Sequence, residues 1–314
     1  MAIVEEIIVP DVHMRCKDVY SALKGLITKD TDRVFLVGDL KNDINYSRIE
    51  ELLPEGAKRL TSDLIETAKG LESIIKSEYG GSSQELIRSL QDGSAPPSVK
   101  DAFERHASIL KELSDVEDGV FAKESYEDYR VHEEWLSAIR KEYGVSIYGV
   151  PGNHDTSFLS SQVESVDWLI PGQSLREEGI IGAFGCHPEN GGEVNPAFNG
   201  PNLKYAPPID DSLSLDESPV YDSFKDSDVD LIVTHSGPDI GPLRESKNGK
   251  IPAMAGLTAL VKEKGPVVYE GHMHGGIVYK CPDSGAHIIR PGVNHIARVK
   301  RDGNKLLRVE LYKI

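Results

Sequence analysis

The chain has 314 residues, 39% hydrophobic and 27% charged, which is the make-up of an ordinary soluble globular protein and excludes disordered or collagen-like classes. Its 35 basic against 51 acidic residues give a formal net charge of -16, so a non-specific grip on nucleic acid or on an anionic membrane is not expected. The three cysteines, Cys16, Cys186 and Cys281, lie far apart with no C-x-x-C, which argues against both a disulfide framework and a thiolate zinc site. Met1 to Val9 carries Glu5 and Glu6 where a signal peptide would be basic, and its apolar run is too short for a membrane span. The expectation is a soluble, cytoplasmic protein.

Taken in order, Ile7 to Pro10 reads as a buried strand that stops at Asp11-Val12-His13, two polar side chains facing the same way. Val19, Leu23, Leu26 and Ile27 recur at helical spacing, and Arg33 to Val37 is a second strand ending at Gly38-Asp39. A strand, helix, strand unit with acids at the strand ends predicts an α/β protein with its site there. From 41 to 143 the rhythm changes. Leu60, Leu64, Ala68, Leu71 and Ile75, then Val99, Phe103, Ala107, Leu110 and Leu113, then Trp135 and Ile139 predict three or more amphipathic helices, separated by turn signals at Gly80 to Ser83 and Gly93 to Pro97. This insertion is either a cap over substrate or a structural, dimer-forming element. His106 and His132 lie in its helical patterns and are expected at the surface.

Ser146 to Val150 restores the strand pattern and runs into Pro151-Gly152-Asn153-His154-Asp155; a further strand is predicted at Ile180 to Phe184. The Pro-, Gly- and Asn-rich stretch from 187 to 219 reads as a long loop, with Cys186 and His187 at its start taken as structural. Asp230 to Val233 is a strand ending in Thr234-His235, and Met254 to Lys264 is a short helix. Pro266 to Glu270 is an apolar run that stops at Gly271-His272-Met273-His274, whose two imidazoles face one way beyond the strand end. Strands at Gly276 to Tyr279 and His287 to Ile289 follow, and the chain ends in a hairpin of Ile296 to Lys300 and Leu306 to Tyr312 turned at Asp302-Gly303-Asn304.

By itself an H-x-H reads as two surface histidines and G-N-H-D as a polar turn. Five strand ends that all stop at Asp, Asn or His are another matter. Carboxylates, imidazoles and an amide oxygen without a thiolate form a mixed N/O ligand set, suited to Mn, Fe, Zn or Ni and poor for Ca or an iron-sulfur cluster. Asp11, His13, Asp39, Asn153, His235, His272 and His274 are too many ligands for one ion. They fit two divalent transition-metal ions, manganese being the leading expectation, if one carboxylate bridges. Such a pair, ~3.5 to 4 Å apart, clamps phosphoryl oxygens and turns a water into hydroxide near pH 7. The leaving group then needs a proton, which His154 is placed to give, with Asp155 fixing its tautomer.

In this order D-x-H, G-D, G-N-H-D, a lone His after a strand and G-H-x-H resemble the calcineurin-like metallophosphoesterase superfamily. The resemblance rests on Asp11, His13, Gly38, Asp39, Gly152 to Asp155, His235, Gly271, His272 and His274, supported by Arg290-Pro291-Gly292-Val293. It implies a four-layer α/β/β/α sandwich of two mixed sheets, formed by 1–40 and 144–314, with the 41–143 helical insertion added. It also implies one metal on Asp11, His13 and His274, another on Asn153, His235 and His272, and Asp39 as the bridge. Two departures matter. Gly38-Asp39-Leu40-Lys41-Asn42-Asp43 lacks the D-R-G continuation of the protein phosphatase branch, where arginine would grip phosphate bidentately. Met14 stands where many members have glycine.

The expected activity is hydrolysis of a small phosphomonoester or phosphodiester, nucleotides included. The alternatives are a nuclease resembling the double-strand-break repair exonucleases, which share the ligand set, and a non-catalytic metal-binding scaffold. The acidic charge and the lack of a basic, aromatic-interleaved stretch weigh against the first; the full ligand set and His154 weigh against the second. The expected partner is a small phosphorylated substrate, with no nucleic acid and no membrane, and a homo-oligomer through the insertion.

Overall fold

The computed structural model describes residues 3–13, 15–40, 52–152, 155, 159–169, 180–183, 219–246, 249–250, 255–272 and 275–314. Its strands in chain order are β1 (Ile3–Val9), β2 (Arg33–Leu36), β3 (Ser146–Gly149), β4 (Asp167–Trp168), β5 (Ile180–Ala183), β6 (Leu231–Thr234), β7 (Glu245–Ser246), β8 (Gly249–Lys250), β9 (Val267–Glu270), β10 (Ile277–Lys280), β11 (His287–Arg290), β12 (His295–Asp302) and β13 (Lys305–Lys313). The helices are α1 (Cys16–Leu26), α2 (Glu55–Glu78), α3 (Ser83–Gln91), α4 (Pro97–Tyr143), α5 (Leu159–Gln162), α6 (Pro219–Phe224) and α7 (Ala255–Lys264). None of these is long and apolar enough to cross a membrane.

Two mixed sheets carry the fold. The first has the order β13-β12-β1-β2-β3-β4, with β1 to β4 parallel and β12 antiparallel to both β1 and β13. The second has the order β10-β11-β9-β6-β5, parallel except between β10 and β11. Alternation along each strand sorts the apolar residues into layers. In β1 and β2, Ile7, Val9, Val34 and Leu36 face α1 and the end of α4, while Ile8 and Phe35 face the second sheet. In β6, β9 and β11, Leu231, Val233, Val267, Tyr269 and Ile289 face the first sheet, while Ile232, Val268 and Ile288 meet Phe224 of α6 and Leu257, Leu260 and Val261 of α7. Strands buried on both faces explain the near-continuous apolar runs in the sequence. The architecture is the expected four-layer α/β/β/α sandwich.

The chain divides into two compact units, Met1–Asn42 with Tyr126–Ile314, and Asp43–Ser125. The sequence expectation ended the insertion at 143, whereas 126–143 cluster with the sheets. The reason is topological, since parallel β2 and β3 need a crossover helix, and Tyr129, Leu136 and Ile139 supply its buried face. The apolar patterns at 99–113 and 135–139, read as separate helices, belong to one helix of 47 residues. Within the second unit, Leu53, Ala57 and Leu113 form one apolar cluster and Leu86, Ala95 and Val99 another. Ser82 caps α3 by accepting from the Glu85 N–H. The start of the insertion at 41–51, the loop at 187–218, Cys186 and His187 lie outside the described residues.

Candidate metal centre

Because β1, β2 and β3 are parallel neighbours, their carboxyl ends leave the first sheet along one edge, and β6 and β9 do the same in the second. Main-chain hydrogen bonds then knit the loops together. Val12 and His13 N–H both donate to the Asp39 carbonyl at 3.0 Å, and the Gly271 N–H donates to the His235 carbonyl at 3.2 Å. The His272 N–H donates to Asp11 Oδ1 at 3.2 Å, joining the second sheet to the first.

Five of the expected ligands therefore meet. His235 Nε2 lies 3.3 Å from Asp39 Oδ2 and 3.2 Å from His272 Nδ1, and His13 Nε2 lies 3.8 Å from Asp39 Oδ2. Two groups with metal-ligand spacing result, Asp39 with His235 and His272, and Asp11 with His13 and Asp39. The Asp39 carboxylate belongs to both. The donors suit a divalent ion in a further respect. His235 Nδ1 sits 2.9 Å from the Val37 carbonyl, which can only accept, so that nitrogen carries the proton and Nε2 is the one turned toward the cluster. Asn153, His154, His274 and Met14 lie outside the described residues.

Bringing these loops so close requires glycine at 38, 152 and 271. A Cβ on Gly152 would stand 2.0 Å from Asp39 Oδ1, and one on Gly271 would stand 2.3 Å from the Val37 carbonyl and 2.5 Å from Asp11 Oδ1. The non-glycine residues with left-handed backbone among those described are His13 (φ 45°), Asp39 (φ 45°) and His272 (φ 60°), each a candidate ligand. That conformation costs a residue with a side chain about 1 kcal/mol or more and persists where the surroundings over-determine it, characteristically at functional sites.

Electrostatics at the cluster follow from burial of opposite charges. Burial raises the Asp11 pKa well above the usual carboxylate range; the His235 imidazole opposes this and the Asp39 carboxylate adds to it. For His235 burial disfavours the charged form, yet Asp39, Asp11 and the Val37 carbonyl outweigh it and raise its pKa. Without metal the cluster thus holds protons that an ion must displace, so metal affinity rises with pH. Across the neutral range, the Kd for Mn²⁺ is expected to fall by about tenfold per pH unit for each proton released. Titration calorimetry in two buffers of different ionisation heat checks this, and a Kd independent of pH would contradict it.

Around the cluster, Asp155 acts as a clamp. Its Oδ1 accepts from the Leu40 N–H at 3.1 Å and the Tyr129 hydroxyl at 3.3 Å, and its Oδ2 accepts from the Gly152 N–H at 2.8 Å. It joins the loop after β2 to the loop after β3, a task the sequence reading did not give it. His132, expected at the surface, is fully buried, with Nδ1 2.7 Å from the Tyr20 hydroxyl. Burial pulls its pKa down to about 4, against a hydrogen bond to the Leu40 main chain. The overlooked signal is spacing, because Tyr129, His132, Leu136 and Ile139 lie on one helical face. His106 is half-buried in the second unit, its Nδ1 2.9 Å from the Thr67 hydroxyl.

No protein-family model and no curated protein matches the chain. A solved crystal structure is similar over 99% of this chain and 99% of its own, at 14% identity and a TM-score of 0.52, which shows a shared fold. A candidate 5'-nucleotidase from Staphylococcus aureus in complex with alpha-ketoglutarate aligns at 12% identity and a TM-score of 0.44, with this chain spanning 54% of that one. TT1561 of Thermus thermophilus aligns over 99% of both chains at 9% identity and a TM-score of 0.48. The likenesses to these two proteins are too slight to bear on function.

Proposed function

We propose that this protein is a metal-dependent phosphoesterase of the calcineurin-like kind, hydrolysing a small phosphomonoester or phosphodiester, nucleotides included. The observation that carries the reading is the Asp39 carboxylate, common to two adjacent groups of metal-ligating side chains at the ends of parallel strands. The ordered motifs of the sequence support it. In this reading His13, Asp11 and His274 complete one site, and His235, His272 and Asn153 the other. Two divalent ions bound there would clamp phosphoryl oxygens and bring a water into the range where it ionises near neutrality.

The chain's own residues do the rest. Asp39 holds the two sites at a fixed separation, and the Val37 carbonyl keeps His235 in the tautomer that presents Nε2. His154 gives the leaving group its proton. Asn42-Asp43-Ile44 in place of D-R-G leaves that motif without a bidentate phosphate grip, which favours a small substrate over a phosphoprotein.

Metal-stripped protein resupplied with Mn²⁺ is expected to hydrolyse p-nitrophenyl phosphate or bis-p-nitrophenyl phosphate, and the ratio of the two rates assigns monoester or diester. His154→Ala should keep its metals and lose about 10²- to 10⁴-fold in turnover on an ester with a poor leaving group, the range of general acid catalysis. It should lose far less on the nitrophenyl esters, whose leaving group departs without a proton. Equal losses on both kinds of ester would remove His154 from the acid role. Bound metal with no turnover on any ester would leave a non-catalytic metal-binding protein.

A further inference from the structure

We infer that Tyr129, on the face of α4 turned to the first sheet, is a positioning residue that holds the Asp39 loop in its metal-ligating geometry through Asp155. The inference rests on the reading above that Asp39 is a shared ligand. Asp39 has left-handed backbone, disfavoured for a residue with a Cβ, and Gly38 before it has φ 104°. Such a turn relaxes unless its neighbours hold it. What holds Asp39 from the carboxyl side is Leu40, whose N–H is tied to Asp155.

Tyr129 acts through Asp155. Its hydroxyl donates to Asp155 Oδ1, the same oxygen that accepts the Leu40 N–H, so the phenol fixes the carboxylate that fixes Leu40. The other oxygen takes the Gly152 N–H, next to Asn153. Three residues along α4, His132 ties the helix to α1, with the Tyr20 hydroxyl 2.7 Å from Nδ1 and the Cys16 thiol 3.5 Å from Nε2. Tyr129 is fully buried. A phenylalanine would fill the same space and needs no polar atom to pack. The Tyr129 hydroxyl nevertheless acts on Leu40 through Asp155.

The test measures Mn²⁺ binding to full-length Tyr129→Phe by titration calorimetry, beside melting of the metal-free protein. Tyr129→Phe deletes one oxygen and keeps the ring. The expected result is a 10- to 100-fold weaker Mn²⁺ affinity, the usual effect of losing an outer partner of a metal ligand. Hydrolysis should return toward the unaltered rate at saturating Mn²⁺ with KM unchanged, a rescue that a merely structural defect would not give. A variant that binds Mn²⁺ as the unaltered protein does overturns the positioning role, even if it melts earlier. If the unaltered protein binds no Mn²⁺, the metal centre itself is refuted and the positioning role falls with it.

Discussion

On the function proposed above, Asp39→Asn is expected to lower Mn²⁺ affinity at both candidate sites and to reduce turnover by more than about a hundredfold, beyond the loss from an outer-shell partner. The carboxylate stands in both candidate ligand groups, so one substitution strikes both. The exchange is also sparing of structure. The Asp39 carbonyl still receives Val12 and His13, and the amide has the carboxylate's shape. In the metal-free protein neutralising Asp39 relieves its like-charge repulsion with Asp11 and removes its pairing with the His235 imidazole, two changes of opposite sign. The metal-free variant should therefore melt near the unaltered protein while binding metal far more weakly. Opposite behaviour in those two measurements separates a lost ligand from a lost fold. Full occupancy of both ions in the variant would contradict the bridge.

Arg301→Met is expected to destabilise the protein by about 3–5 kcal/mol, the usual cost of removing one partner of a buried ion pair. Arg301 Nε and Nη2 donate to the two oxygens of Glu6 at 2.7 and 2.8 Å, and both residues are buried. Glu6 follows the alternation of Ile8 and so points between the sheets, where the Tyr269 hydroxyl of β9 also donates to it. Removing the guanidinium leaves the buried carboxylate with that hydroxyl and with Arg33, whose Nη1 lies 3.7 Å away, beyond hydrogen-bond reach. Substituting the pair, Glu6→Leu with Arg301→Met, should recover most of the loss, because the desolvated charge goes too; what stays lost is the partner of the Tyr269 hydroxyl. Denaturant unfolding of the single and double variants checks this. A single-variant loss below about 1 kcal/mol, the size of an exposed pair, would mean the charge finds water. Tyr269 stands three residues before His272, so this link between sheets also bears on where that candidate ligand falls.

Much of this protein was legible along the chain. Alternating and continuous apolar runs gave the strands that flank the site, because a strand's two faces are written locally with period two. The polar residue at each strand end gave Asp11, His13, Asp39, His235 and His272, which the structure brings together within one cluster. Other strands were misjudged at their ends. β1 begins at Ile3, earlier than the apolar run implied, because Glu5 and Glu6 interrupt it. The role of Glu6 was invisible, since its partner is 295 residues away. His132 was misjudged for the same reason, and the clamping contacts of Asp155 were equally invisible. A histidine in a helix and an aspartate in a turn have the same local sequence whether they meet water or a buried group from a distant segment. The sequence by itself determined the strands that flank the site, their faces and the candidate ligand types, since propensity and periodicity act over a few residues. Only the tertiary structure decided which buried polar groups satisfy one another and which candidate ligands adopt left-handed backbone, because those depend on distant segments closing on the same point.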